Sequence, residues 1–224
     1  MIILGLDTAQ GACSAAVWKD GAVLARRFEL MRTGHAERLM PQAVEVMADA
    51  GLQMAQLDRL AATIGPGTFT GTRVALAAAR GMALALGIPV IGVTTLEAVA
   101  EGLATAEGKT RVTAFDARRG ELYVQAFEGD ALTPLTDPQI LKVEDAASTI
   151  IAAAGGTAIE IAGTGAGLLQ DALTGQGIKA ATPEVEAHPD AALIARIAST
   201  RAIPALPPAP LYLREPDAKL PGPK

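Results

Sequence analysis

The hydrophobic and polar positions of the N-terminal half predict a strand meander followed by alternating helices and strands. Three strand patterns come first, joined by turns at Gly11 and at Asp20-Gly21, a pair typical of hairpins. A helical pattern that Gly51 ends contains Pro41, either in its first turn or at a kink. The predicted strands cover residues 2–7, 14–18, 22–28, 59–64 and 88–93, and the predicted helices cover 37–50, 70–86 and a stretch from about residue 95.

The pattern restarts near Arg111. Asp116 ends a strand as Asp7 does, 109 residues earlier, and Gly163-Thr164-Gly165 follows Gly65-Pro66-Gly67 at a spacing of 98. Because the order of these features is kept while the spacing shrinks, the sequence predicts a duplicated strand–strand–strand–helix–strand–helix unit. In the second copy the predicted strands cover residues 112–116, 121–127 and 158–162, and the predicted helices cover 148–154, 167–173 and 190–200, the last capped by Asp190.

Two such units predict an α/β protein in which each copy has a mixed sheet with helices packed on it. The arrangement resembles the duplicated fold of actin, sugar kinases and Hsp70, and this resemblance implies that Asp7 and Asp116 face each other across a nucleotide cleft. We therefore predict an N-terminal subdomain at residues 1–106 and a C-terminal subdomain at residues 107–203. Residues 204–224 contain seven of the 14 prolines and predict an extended tail, either flexible or laid over the body.

Composition narrows the classes of function. The chain has 224 residues, with 19 Lys and Arg against 24 Asp and Glu, and this net charge of −5 argues against autonomous nucleic-acid binding, which needs a basic face. Cys13 is the only cysteine, and the chain starts without the basic segment of a signal peptide. Arg80, Gly87 and Pro89 interrupt the apolar stretch at residues 74–93, which therefore predicts buried elements rather than a membrane span. We expect a cytoplasmic protein.

The most distinctive motif is the glycine-rich run from Gly65 to Arg73. It follows a predicted strand and precedes a predicted helix, where backbone N–H groups can bind a phosphate. It lacks the Lys-Ser/Thr pair of a Walker A loop. The alternative is a tight turn whose glycines permit close packing and whose Thr70 caps the helix. Asp7 and Asp116 likewise either hold a metal or only cap turns.

The histidines do not form a metal-ligand pattern. His35 and His188 are the two in the chain, and neither has a second His or Cys at ligand spacing. We predict that both are loop or cap residues, and that Cys13 is a small core residue rather than a nucleophile. The sequence therefore predicts neither a metal nor another cofactor.

The predicted helix at residues 70–86 has few polar side chains. A helix packed on a sheet is normally polar on its far side, but here that side is predicted to carry one leucine and alanine between sparse charges. We expect either another element of this chain or another protein to cover it. The residues assigned to this side are Thr72, Arg73, Leu76, Arg80 and Ala83.

Several motifs together resemble the TsaB (YeaZ) family along essentially the whole chain. The two most specific are the glycine-rich run and Asp116-Ala117-Arg118-Arg119-Gly120-Glu121. Thr68 stands where serine is usual in the family, and Thr72 where an aliphatic residue is usual. The other matching segments are residues 3–8, 35–41, 87–90, 94–97 and 210–214.

This resemblance implies a non-catalytic dimerisation subunit of the complex that transfers a threonylcarbamoyl group to N6 of adenosine 37 in tRNAs reading codons that begin with A. It implies a heterodimer with the catalytic paralogue TsaD, joined by the ATPase TsaE, with tRNA reached only through the complex. Pairing is expected through the first two helices, at Leu39, Ala43, Met47, Thr72, Arg73, Leu76, Arg80 and Ala83. A vestigial nucleotide cleft is expected around Asp7, Thr8, Asp116, Gly163 and Gly165.

The resemblance also implies that catalytic chemistry is lost. The paralogue carries a His-x-Glu-Gly-His metal motif, and the corresponding stretch here is Thr95-Leu96-Glu97-Ala98-Val99, so Thr95 and Val99 replace both histidines. The same replacements argue against the peptidase activity with which relatives have been labelled. Two alternatives stay open: a small-molecule kinase that uses Asp7 and Asp116 around Mg-ATP, and a homodimeric scaffold.

Overall fold

The N-terminal half is built on a five-stranded mixed sheet; the computed structural model describes residues 1–103 and 108–214. Its elements are β1 (Ile2–Asp7), β2 (Ala12–Lys19), β3 (Ala22–Leu30), α1 (His35–Asp49), β4 (Arg59–Thr63), α2 (Phe69–Leu86), β5 (Val90–Val93) and α3 (Thr95–Ala100). The strand order is β3-β2-β1-β4-β5. The first three strands form the predicted antiparallel meander, and β4 and β5 add to β1 in parallel.

The C-terminal half repeats this arrangement. Its elements are β6 (Lys109–Arg118), β7 (Glu121–Glu128), β8 (Thr133–Pro134), β9 (Gln139–Lys142), α4 (Val143–Ala154), β10 (Ala158–Ala162), α5 (Ala166–Gly175), β11 (Ala180–Ala181) and α6 (Ala191–Thr200). Strand β6 takes the central place of β1, with antiparallel β7 on one side and parallel β10 and β11 on the other. Strand β9 pairs with β7 as β3 pairs with β2, which confirms the predicted duplicated fold.

The last helix of each half packs against the sheet of the other half. Helix α6 contributes Ile194 to a cluster with Ile3 of β1, and α3 contributes Leu96 to a cluster with Phe115 of β6. Helices α1 and α2 lie side by side on the opposite face of the first sheet. The halves are therefore joined through shared apolar cores. The division at residues 106 and 203 stays a prediction, and residues 104–107 lie outside the described part of the chain.

Helix α2 begins one residue before its predicted start and ends at Leu86 as predicted. Thr68, rather than Thr70, caps the helix, and its hydroxyl accepts a hydrogen bond from the Gly71 N–H at 3.1 Å. At the other end Gly87 adopts a left-handed conformation and donates to the Ala83 carbonyl at 2.8 Å. This cap uses the residues next to Gly87, so β5 begins later than predicted.

Elsewhere the hydrophobic pattern of the sequence predicts which helices and strands form more accurately than where they begin and end. Helix α1 begins at His35 and contains Pro41 in its interior, beyond the first turn. Helix α4 begins at Val143 rather than at residue 148, and Asp190 caps α6 as predicted. The sequence does not predict β9, because three partly buried residues followed by an exposed one give no alternating pattern. Within the described residues, no helix has both the length and the apolar character needed to cross a membrane.

The C-terminal tail lies over the body as far as Arg214. Leu211 donates its N–H to the Ile64 carbonyl at 2.6 Å, and Arg214 forms an ion pair with Glu121 of β7. The predicted alternative of an extended segment laid over the body is thus the observed one for this stretch. Residues 215–224 lie outside the described part of the chain.

Candidate functional site

A cleft of about 1420 Å³ separates the two halves. It is lined by the β3–α1 connection, the start of α2, the turn between β6 and β7, and the loop that precedes α6. Asp116 and Thr164 line the cleft from the C-terminal half, and Gln10 and Thr68 line it from the N-terminal half. Asp7 is not among the lining residues. The two aspartates of the predicted nucleotide site therefore do not face each other across the cleft.

Asp7 is fully buried at the end of β1. Its Oδ1 accepts hydrogen bonds from the Thr63 hydroxyl and from the Ala9 N–H, the latter at 3.1 Å, whereas its Oδ2 has no partner within the described residues. Burial raises the pKa of Asp7 from 3.8 to about 7; the bonds from Thr63 and Ala9 oppose the shift, and the nearby charge of Asp190 adds to it. A carboxyl in this environment favours its neutral form and serves as a buried hydrogen-bonding group.

The glycine-rich run packs against the end of β1. Thr68 donates its N–H to the Ala9 carbonyl at 2.8 Å. A Cβ at Gly67 would lie 2.3 Å from the Ala9 carbonyl oxygen, and one at Gly71 would lie 2.0 Å from the Thr8 carbonyl oxygen. Thr8 is itself buried by this contact. The geometry therefore favours the interpretation of the motif as a close-packed turn over its interpretation as a phosphate loop.

The second glycine pair also packs against its own strand. A Cβ at Gly163 would lie 2.4 Å from the Ala114 carbonyl oxygen, and Gly165 donates its N–H to the same carbonyl at 2.9 Å. Asp116 holds the adjacent turn: its Oδ1 accepts from the Arg118 N–H at 2.8 Å, and its Oδ2 lies 3.1 Å from the Arg118 guanidinium. The structure therefore brings Asp116 together with the turn of Gly163 and Gly165, whereas Asp7 and Thr8 are buried at the end of β1 in the other half.

Both histidines line the cleft, although the sequence predicts only loop or cap roles for them. His188 lies against Gly11, and burial lowers the pKa of its ring below the ordinary value, opposed by Glu186. No group of three His, Cys, Asp or Glu side chains suited to a metal is found in residues 1–103 and 108–214. Cys13 is buried, as predicted for a core residue, and donates its S–H to Gln42 at 3.3 Å.

Residues 95–99, the stretch that the resemblance aligns with the paralogue's metal motif, have structural roles here. The Thr95 hydroxyl donates to the Pro66 carbonyl at 2.6 Å, and Val99 is buried in the cluster around α3. Glu97 accepts from the Thr94 N–H at 2.8 Å in a capping box and forms an ion pair with Arg201. Glu97 therefore caps α3, while Thr95 and Val99 hold the helix against its neighbours.

The predicted partner-binding residues need a correction. Six of the eight are at most 8% exposed and pack into the core between α1, α2 and the first sheet, so they have no surface to offer a partner. The sequence pattern predicted that the wrong side of α2 faces the solvent, because this helix has apolar residues on nearly every side. The six are Leu39, Ala43, Met47, Thr72, Leu76 and Ala83, whereas Arg73 and Arg80 are exposed as predicted.

The outer face of α1 and α2 carries a different apolar set. Met40 and Val44 of α1 are 39% and 58% exposed, and Phe69 and Leu84 of α2 are 58% and 87% exposed. Exposed Ala77 lies between them on α2. The spacing of residues 69, 73, 77, 80 and 84 is a helical stripe that the sequence contains, but the pattern alone does not tell it from the buried stripe. We use the name outer helix face for the exposed residues of both helices, which are Met40, Val44, Phe69, Arg73, Ala77, Arg80 and Leu84.

Comparison with known proteins identifies relatives over most of the chain. The family model described as "TsaD: tRNA N6-adenosine threonylcarbamoyltransferase" matches residues 29–201. The tRNA threonylcarbamoyladenosine biosynthesis protein TsaB of Escherichia coli (strain K12) is 42% identical over 131 residues, 58% of this chain and 56% of the relative. An uncharacterized protein of Mycobacterium leprae (strain TN) is 34% identical over 230 residues, 97% of this chain and 56% of the relative. The chain spans about half the length of the curated relatives it matches.

Solved structures agree with this relationship. A protein described as similar to the peptidase YeaZ from Pseudomonas aeruginosa has a TM-score of 0.79 at 26% identity and covers 95% of this chain and 99% of its own. YeaZ from Pseudomonas aeruginosa has a TM-score of 0.72 at 27% identity, with 88% and 90% covered. Component A of the Acidaminococcus fermentans (R)-2-hydroxyglutaryl-CoA dehydratase, 14% identical with a TM-score of 0.53, shares the fold alone, over 88% of this chain and 97% of its own. The chain belongs to the family described by the TsaD model and, within it, to the TsaB (YeaZ) group.

Proposed function

We propose that this chain is the non-catalytic, partner-binding subunit of the complex that transfers a threonylcarbamoyl group to N6 of adenosine 37 in tRNAs reading ANN codons. The relatives named TsaB support a role in threonylcarbamoyladenosine biosynthesis. We further propose that the partner is the catalytic paralogue TsaD, that TsaE joins the pair, and that tRNA is reached only through the complex, in the cytoplasm.

The outer helix face carries this proposal. Met40, Val44 and Leu84 expose large aliphatic side chains on two adjacent helices, and Ala77 between them allows a partner backbone to approach closely. Burying such a face removes apolar surface from water and supplies most of the free energy of association. A paralogue of the same fold has a corresponding helix pair with which to cover it.

The non-catalytic part of the proposal is supported by the roles of the residues that chemistry would need. Asp7 is buried with its pKa raised to about 7, and Asp116 holds its own turn. Thr95 and Val99 occupy the positions of the paralogue's metal-binding histidines and belong to the packing of α3. The same geometry weakens the kinase alternative, in which Asp7 and Asp116 would act on one Mg-ATP.

Size-exclusion chromatography with purified TsaD from the same cell tests the proposal. We expect the wild-type chain to shift into a heterodimer, and Val44→Asp to melt like the wild type without forming one. Leu168→Asp is the matched control, because Leu168 is 46% exposed on α5, away from the outer helix face. A wild-type chain that forms only homodimers in the presence of TsaD would contradict the proposal and support the homodimeric scaffold.

A further inference from the structure

The C-terminal tail runs antiparallel to α2 along much of its length. Residues 204–207 lie beside the C-terminal end of the helix, where they share a groove with Arg80 and Leu84. Further along, Pro208 lies against Gly92, where an added Cβ would come within 2.8 Å of the proline ring. Tyr212 then lies beside the first turn of α2. The tail and the helix therefore lie side by side and form two neighbouring ridges on one surface.

An ordered aromatic and guanidinium cluster joins the two ridges at one end. The Arg73 guanidinium lies 3.4 Å from the centre of the Phe69 ring, and its Nε donates to the Tyr212 hydroxyl at 2.7 Å. The Phe69 and Tyr212 rings stack with centres 5.8 Å apart. Both rings stay about half exposed, and in the described residues the terminal amino groups of Arg73 have no acceptor. Such a cluster is already ordered before a partner arrives.

A groove of about 570 Å³ lies between the ridges at the other end. Its rim carries Leu84 and Leu206, which are 87% and 78% exposed, the highest values among the large apolar side chains described. Proline fixes the backbone of the tail on either side of Leu206, at Pro204 and Pro207, so little chain entropy remains to be lost on binding. The groove therefore has an exposed apolar rim on a backbone that is already constrained.

We propose that this tail-and-helix surface is the second part of the partner-binding site, continuous with the outer helix face through Leu84. This inference rests on the proposed function and adds that the partner inserts an apolar side chain between Leu84 and Leu206 and places a carboxylate or carbonyl oxygen on Arg73. Aromatic and arginine side chains supply most of the binding energy at protein interfaces. A protein partner fits this surface better than RNA, because its arginines, Arg73 and Arg80, lie among apolar side chains in a chain whose net charge is −5.

Isothermal titration of the full-length chain with TsaD tests the inference. We expect Leu206→Asp and Tyr212→Ala each to weaken binding at least ~10-fold, as truncation of interface anchors does. Ile203→Asp is the control, since Ile203 is 59% exposed on the same tail and does not line the groove. It should bind within about twofold of the wild type. Leu206 is so exposed that its replacement should leave the melting temperature unchanged, which keeps a loss of binding distinct from misfolding.

The outcomes separate the two proposals. If the wild-type chain does not bind TsaD at all, the proposed function fails. If the wild type binds and Leu206→Asp and Tyr212→Ala bind equally well, the tail is only a structural strap and the inference is overturned while the outer helix face stands. Equal weakening by Ile203→Asp also overturns it, because charge on the tail would then act without the groove. Binding of tRNA by the isolated chain, lost in Tyr212→Ala, would overturn it in favour of RNA.

Discussion

The Thr8 hydroxyl donates to the Gly71 carbonyl at 2.6 Å, and the Thr8 carbonyl oxygen lies 2.0 Å from the place that a Cβ at Gly71 would occupy. The same hydroxyl accepts from the Ala75 N–H at 3.0 Å. These contacts fix the end of β1 to the first turns of α2 and leave no room between them. The glycine-rich run is thus explained by backbone packing, and the outer helix face takes its orientation from that packing.

Two glycines of α2 should therefore respond in opposite directions to alanine. Gly71→Ala forces a Cβ into the backbone of Thr8 and should cost about 3 kcal/mol of unfolding free energy, the upper end for overpacking. A Cβ at Gly81 would have no atom within 4 Å, so Gly81→Ala should raise the unfolding free energy by about 0.5–1 kcal/mol through helix propensity. Urea denaturation of the two variants measures both changes. Equal, small effects would mean that α2 does not sit this close to β1.

The buried carboxyl of Asp7 should make stability fall as pH rises. Its pKa is raised to about 7, so between pH 4 and pH 7 the unfolded chain loses this proton while the folded chain keeps it. The contribution of Asp7 to the unfolding free energy is fully present below its pKa in the unfolded chain, 3.8. It declines by about 4 kcal/mol as the pH rises to its pKa in the folded chain, about 7. Asp7→Asn cannot ionise, so its stability relative to the wild type should improve across this window. Parallel curves of unfolding free energy against pH would contradict the burial of a neutral Asp7.

Cys13 should be protected from alkylation in the native protein. Burial raises the pKa of its thiol to about 12, and the carboxylates of Asp7 and Glu29 add to the shift, so thiolate is scarce at pH 8. We expect iodoacetamide to label the folded chain only as fast as it opens, and the urea-unfolded chain at the rate of a free thiol. Rapid labelling without denaturant would place Cys13 at the surface and contradict the core assignment.

The duplicated fold could be predicted from the sequence because its signals are local and occur twice. Asp7 and Asp116 end equivalent strands, and the glycine triplets begin equivalent turns before helices. The packing of α3 and α6 each against the sheet of the other half could not be predicted. It depends on contacts between residues such as Ile3 and Ile194, which are nearly the length of the chain apart.

The candidate site was harder to predict, since it depends on which side of an apolar helix meets the sheet. Leu76 and Ala77 are neighbours, and only their packing decides that the first is 3% exposed and the second lies in solvent. The tail posed a similar problem. Its prolines predict an extended chain, but nothing local predicts that Tyr212 stacks on Phe69 more than a hundred residues away.

The central claim is that the outer helix face binds the catalytic paralogue, and the dissociation constant of Ala77→Glu for TsaD tests it most directly. Ala77 is exposed at the middle of α2, so the variant should keep the wild-type melting temperature. A carboxylate desolvated at the centre of the interface should weaken binding at least ~100-fold, and Leu168→Glu on α5 should bind like the wild type. Wild-type affinity of a correctly folded Ala77→Glu would contradict the account.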